Sequence, residues 1–159
     1  MGGKMPSDTP LEELEAKIGQ ELGVSDWIPM TQAKFDGFAE ITGDRDWLHN
    51  DPERCARESP YGKTIAQGHL LLAHLSQVGE ALMPDPGDRV AYALNYGYDR
   101  VRVIRPVMVG SRISGRLVLK EIRSRGEGQY VVKSDAMIEV EGSDGPHLVA
   151  EWLFFVQMA

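Results

Sequence analysis

Leu11, Leu14, Ile18 and Leu22 recur every three or four positions, with Glu12, Glu13, Glu15 and Lys17 between them. The spacing predicts an amphipathic helix that opens at Thr9-Pro10, stops at Gly23 and packs along the outside of the fold. Residues 25–30 read as extended. Thr31 stands where it can cap a second helix, whose Phe35, Phe38 and Ile41 fall on one side and which ends at Thr42-Gly43. Asp51-Pro52-Glu53 supplies a cap, a proline at the first helical position and an acid in the first turn, so a short helix follows, ended by Ser59-Pro60-Tyr61-Gly62. Residues 68–83 are the most apolar helical stretch. Leu70, Leu71, Leu72, Leu75, Val78 and Leu82 run round most of its circumference, which predicts burial on several sides. Pro84-Asp85-Pro86-Gly87 ends it.

Beyond that break the period falls to two. Segments 90–98, 100–109, 112–125, 129–141 and 147–157 are rich in Val, Ile, Tyr and Phe. In the third of them Ile113, Gly115, Leu117 and Leu119 oppose Ser114, Arg116, Val118 and Lys120. Arg125-Gly126-Glu127-Gly128 and Gly142-Ser143-Asp144-Gly145-Pro146 are turn signals. Helices first and strands afterwards give an α+β class, an antiparallel sheet that wraps or covers the buried helix. No repeat or linker interrupts the chain. Residues 1–8 read as a frayed terminus and 9–159 as one domain.

Composition narrows the function. The 159 residues are enough for a sizeable core. Lys and Arg number 17 against 24 Asp and Glu, a formal charge of −7, which argues against a broad nucleic-acid surface but leaves room for a local arginine cluster. A single cysteine, Cys55, excludes an intrachain disulfide and a Cys-rich zinc site and points to a reducing compartment. The N-terminus lacks a signal pattern, Pro6 stands where a myristoylation signal needs Ser or Thr, and no apolar run approaches the ~20 residues of a membrane span. The expectation is a soluble cytoplasmic protein with no membrane partner.

Two short segments hold the candidate chemistry. Asp44 and His49, five residues apart, would sit about 140° from each other on one helix. They can cooperate only across a loop, which Gly43 and the helix start at Asp51-Pro52 allow. A carboxylate beside an imidazole can hold one water and move its proton. The plainer alternative is a turn-capping aspartate and a loop histidine bonded to backbone. Gly68 begins the buried helix, where free N–H groups and the helix dipole favour an oxyanion; tight packing would also select glycine there. His69 and His74 fit core or interface roles, and with His49 they match no zinc spacing. Cys55 reads as a packed thiol, and Arg100, Arg102, Arg105 and Arg112 as a solvated strand face.

Gly43-Asp44-Arg45-Asp46-Trp47-Leu48-His49, then Asp51-Pro52, then Ile65-Ala66-Gln67-Gly68, resembles the MaoC-like or R-specific enoyl-CoA hydratase family, within it the NodN-like branch of small single-domain members. The likeness extends from about Thr31 to the C-terminus and includes Arg105-Pro106-Val107-Met108-Val109-Gly110. The resemblance implies a hot-dog fold, an antiparallel sheet round one long apolar helix, in a homodimer. It places the catalytic pair on Asp44 and His49, the oxyanion glycine on Gly68 and a pocket serine on Ser76. It implies an acyl-CoA substrate, hydration of trans-2-enoyl-CoA to (R)-3-hydroxyacyl-CoA, and no metal or redox cofactor. Arg100–Arg112 are then candidates for the CoA phosphates on charge alone. Related activities to weigh are acyl-CoA thioesterase and a non-catalytic acyl-CoA or acyl-carrier binding subunit. Asp46-Trp47 depart from the Asn-Pro usual in the motif, adding charge and bulk beside Asp44.

Overall fold

The computed structural model describes residues 10–85 and 87–159. The predicted frayed terminus, residues 1–8, lies outside them. Helix α1 (Pro10–Glu15) leads into strands β1 (Glu21–Val24) and β2 (Ile28–Pro29). Helices α2 (Gln32–Thr42), α3 (Trp47–Asn50) and α4 (Pro52–Glu58) precede the long α5 (Gly68–Leu82). Strands β3 (Val90–Val103), β4 (Arg112–Gly126), β5 (Gln129–Val140) and β6 (Pro146–Met158) complete the chain. They form one antiparallel sheet in the order β1-β4-β5-β6-β3, with β2 also on β4.

The sheet folds against α5. Alternate residues of β4, β5 and β6 (Ile113, Leu117, Ile138, Leu148, Trp152) meet Leu71, Leu75 and Val78 of the helix in one buried cluster. Two glycines set how closely helix and sheet approach. A Cβ on Gly115 would lie 2.2 Å from a Val78 methyl, and one on Gly79 would lie 2.6 Å from the Trp152 ring. Val78 is β-branched and fully buried, so it cannot swing aside. Gly115→Ala is therefore expected to destabilise by about 1–3 kcal/mol through overpacking, read as a lower urea midpoint at unchanged slope.

Several sequence expectations change. The first helix stops at Glu15 rather than Gly23. Gly19 takes a left-handed φ of +83° and donates to the Leu119 carbonyl, after which Leu22 belongs to β1. Pairing with β4 overrides the helical period there. Phe35 and Ala39 are buried on α2, but Ile41 is 85 % exposed because it lies about 120° round the helix from Phe35, on the face away from the core. The predicted strands 90–98 and 100–109 are one strand, β3, broken in register beside Arg100 (φ +52°). Residues 104–111 form no strand; Met108 makes a single bridge to Ile65. Helix α5 is buried along one side only, and Ala73, Ser76, Gln77 and Glu80 are exposed in the single chain.

His74, half-buried on α5, has its Nε2 enclosed with no hydrogen-bond partner among the described residues. Burial holds the ring below its ordinary value of 6.5, Lys34 pushes the same way, and the nearby Gln77 side chain opposes them. A depressed histidine binds fewer protons folded than unfolded, so stability rises with pH through the window just below 6.5. Urea midpoints should be flat above that pH and fall below it, and His74→Gln should lose its share of the slope.

Candidate active site

Helix α2 ends at Gly43, which takes the left-handed conformation (φ +77°) and returns its N–H to the Ala39 carbonyl. Only a residue free of a Cβ adopts this without cost, and the reversal throws Asp44 out of the helix line. The Thr42 hydroxyl donates to the Phe38 carbonyl and accepts from the Asp44 N–H, which fixes the turn. Two residues later Asp46 caps α3, its side chain accepting from the Leu48 N–H at 2.9 Å. The extra charge in the motif is thus engaged as a helix cap. The extra bulk is engaged too, since the Arg54 guanidinium covers the Trp47 ring at 4.2 Å.

His49 lies in the single turn of α3, and Asp44 lies outside it, so the two are not on a common helix. His49 Nε2 stands 4.0 Å from Asp44 Oδ2, too far for a direct hydrogen bond. A water donating one hydrogen to each of two acceptors at ordinary distances holds them about 4.4 Å apart, so the gap suits one bridging water. The other ring nitrogen, Nδ1, is 2.8 Å from the Ile65 carbonyl. A carbonyl only accepts, so Nδ1 carries a proton, and in the neutral form of the ring the Nε2 lone pair faces Asp44. The Asp44 side chain is 42 % exposed and that of His49 16 %. The carboxylate is therefore open to water and ligand while the imidazole is held.

The partner of His49 also fixes its relation to Gly68. Ile65 receives the ring at its carbonyl and donates its own N–H to the Leu48 carbonyl, so α3 is tied at two points to a residue three before the start of α5. In the first turn of α5 the N–H groups of Leu70 and Leu71 return to the Gln67 carbonyl. Those of Gly68 and His69 have no helix carbonyl behind them, and the dipole of the 15-residue α5 adds partial positive charge there. A Cβ on Gly68 would meet a Val103 methyl at 3.1 Å.

The remaining candidates separate from this pair. Ser76 is two turns along α5, about 12 Å and 80° from Gly68. It lines a cleft of about 1120 Å³, bounded by α1, the second half of α5 and the inner face of the sheet, whose walls include neither Asp44, His49 nor Gly68. His69 is exposed. Cys55 is buried, its thiol donating toward the Trp47 and Leu48 carbonyls, and burial with Asp51 alongside pushes it up from its ordinary value. Three of the four arginines meet acids, Arg100 with Glu151, Arg105 with Asp144 and Arg112 with Glu141, while Arg102 donates to the Val101 carbonyl. Among the described residues no cluster of three or more His, Cys, Asp or Glu is arranged to hold a metal ion. Sequence reasoning missed Gln67, whose buried amide donates to the Phe35 carbonyl and ties α2 to the start of α5. The segment Ile65-Ala66-Gln67-Gly68 contains it, but no local pattern marks its bond to α2.

Residues 13–141 match the model of the MaoC like domain. The chain is 43 % identical over 147 residues to Nodulation protein N of Rhizobium leguminosarum bv. viciae, covering 92 % of this chain and 91 % of that one. It is 40 % identical over 139 residues to 3-hydroxyacyl-thioester dehydratase Z of Mycobacterium tuberculosis, covering 87 % and 90 %. Among solved structures it resembles the Monoamine oxidase regulatory protein from Archaeoglobus fulgius, with a TM-score of 0.75, 26 % identity, and 89 % and 91 % of the two chains covered.

Proposed function

From the premise that this chain belongs to the MaoC-like dehydratase family and has its hot-dog fold, we propose that it hydrates trans-2-enoyl-CoA reversibly to (R)-3-hydroxyacyl-CoA. The observation that carries the reading is the 4.0 Å gap between Asp44 Oδ2 and the lone-pair side of His49 Nε2. Its relative in Mycobacterium tuberculosis, a 3-hydroxyacyl-thioester dehydratase by name, supports the same reaction class.

Water bridging the pair attacks the β-carbon. An O–C bond forms, the C=C π pair moves toward the thioester carbonyl, and Asp44 takes one water proton while His49 Nε2 orients the other. The thioester oxygen gains enolate charge and is met by the Gly68 N–H. The proton held by the dyad then passes to the α-carbon from the same side, so none is gained or lost overall. This chemistry calls for no metal or redox group, and no step passes through Ser76.

The reading includes a homodimer. Strand β3 ends the sheet order, and Tyr92, Leu94 and Tyr96 on it are half exposed, which supports a second copy along this edge. Among the described residues no helix is long and apolar enough to cross a membrane. A cytoplasmic location belongs to the proposal and rests on the single cysteine.

Crotonyl-CoA with the purified protein tests the reaction, following enone absorbance and free thiol together. Loss of the enone without thiol is the expected result. Thiol release would make the protein a thioesterase, and binding without turnover would make it an acyl-thioester binding subunit.

A further inference from the structure

The reaction proposed above uses His49 through its ring, yet the most heavily bonded part of His49's surroundings is the polar group on its other side. Gln32, the first residue of α2, has its Nε2 2.8 Å from the His49 carbonyl and 2.9 Å from Asp36 Oδ1. Both are acceptors only, so that corner of the amide is the NH2 and the opposite corner is the oxygen. The oxygen lies 2.6 Å from the Thr64 hydroxyl, which must then donate. Gln32 thus spends both amide hydrogens and its oxygen on three fixed partners. Asp36 accepts a further bond from Asn50 Nδ2 at 2.8 Å, next in sequence to His49.

The far end of this relay returns to the site. Thr64 is fully buried and precedes Ile65, whose carbonyl holds the His49 ring. The segment is pinned by Val109 N–H on the Thr64 carbonyl and by Ala66 N–H on the Val107 carbonyl, and it reaches Gly68 two residues later. The backbone of His49, through Gln32, and its ring, through Ile65, are therefore referred to one rigid three-residue segment that leads into the oxyanion glycine.

We infer that Gln32, its amide oriented by Thr64, is a positioning residue that keeps the His49 imidazole on the Ile65 carbonyl, and so in the Nδ1–H form, at a fixed place relative to Gly68. The catalytic part of this inference rests on the hydration reading; the tautomer part does not. Gln32→Glu replaces the NH2 by an oxygen facing a carbonyl and a carboxylate, and reverses two attractions at constant size. Thr64→Val removes the orienting hydroxyl at constant shape, and Thr64→Ser restores it.

The test uses the full chain with 15N-labelled histidine. Long-range 1H–15N spectra report the tautomer, and the His49 signal is the one absent from His49→Ala. The wild type and Thr64→Ser should show the Nδ1–H form, and Gln32→Glu and Thr64→Val a mixture of tautomers. With crotonyl-CoA, kcat should drop about 10- to 100-fold in the latter two, KM should stay within about twofold, and Thr64→Ser should recover the loss. Unchanged His49 spectra and unchanged kcat in Gln32→Glu and Thr64→Val proteins that melt as the wild type does would overturn the inference. If Gln32→Glu does not fold, the Thr64→Val and Thr64→Ser pair decides on the same readouts. A tautomer change in a protein whose wild type turns over no enoyl thioester would uphold the positioning role and overturn the reaction.

Discussion

Asp44→Asn is expected to slow enoyl-thioester hydration by about 10²–10⁴-fold, the usual contribution of a general base, without lowering the melting temperature. The two effects part because of where Asp44 sits. Its carboxylate is 42 % exposed and, among the described residues, faces only His49, at a distance beyond hydrogen bonding. The backbone turn that presents it is held by Gly43 and Thr42, neither of which the substitution touches. Asparagine keeps the size and cannot take the proton. His49→Ala should lose activity to a similar extent but behave differently in the melt. It removes the bond from Nδ1 to the Ile65 carbonyl, worth about 0.5–1.5 kcal/mol. Loss of activity matched by an equal loss of fold in Asp44→Asn would show that the carboxylate is structural.

The second large effect isolates one hydrogen atom. Gly68→Pro deletes the N–H assigned to the thioester oxygen at a position where proline suits the helix. It is the first residue of α5, and proline is favoured there because that N–H has no helical partner. The residue before it, Gln67, already has φ −58° and ψ 137°, the extended region that proline demands of its predecessor. The substitution should leave α5 intact and lower kcat by about 10²–10³-fold, as loss of one oxyanion donor does elsewhere. Gly68→Ala is the control, since it adds a Cβ and keeps the N–H. The Val103 methyl that this Cβ would meet belongs to a side chain 49 % exposed and able to turn away. Equal rates for the two variants would mean that space, not the hydrogen bond, is what Gly68 supplies.

The sequence shows the parts of this arrangement that are local. The α5 helix and its glycine start are legible because apolar spacing and the Pro84-Asp85-Pro86-Gly87 break are contained in one stretch. The alternation in β4 survives because one face of that strand meets the helix along its first half. The spacing of Asp44 and His49 requires a bend between them, and Gly43 supplies one. What local pattern hides is pairing over distance. Leu22 keeps helical spacing with Ile18, yet it joins β4 nearly a hundred residues away, once Gly19 has turned the chain. The merging of two predicted strands into β3 is hidden for a related reason, because Arg100 bends a strand that its neighbour β6 keeps continuous. A histidine bonded to backbone, as His49 is, stands among the readings of the sequence, but its particular partners do not. Its ring is fixed by a backbone carbonyl, which every residue possesses, and its own carbonyl by Gln32, an ordinary polar residue 17 positions upstream. Ser76 follows from family spacing, and the geometry of α5 turns it to a cleft whose walls include neither Asp44, His49 nor Gly68.

The stereochemistry of the product made from crotonyl-CoA in D2O bears most directly on the claim that one carboxylate and one imidazole run both halves of the addition from a single side. The expected product is (R)-3-hydroxybutyryl-CoA carrying one deuterium at C2, added on the same face as the new oxygen, and formed at background rate by Asp44→Asn. Deuterium on the opposite face, or free CoA in place of the hydroxyacyl product, would contradict it.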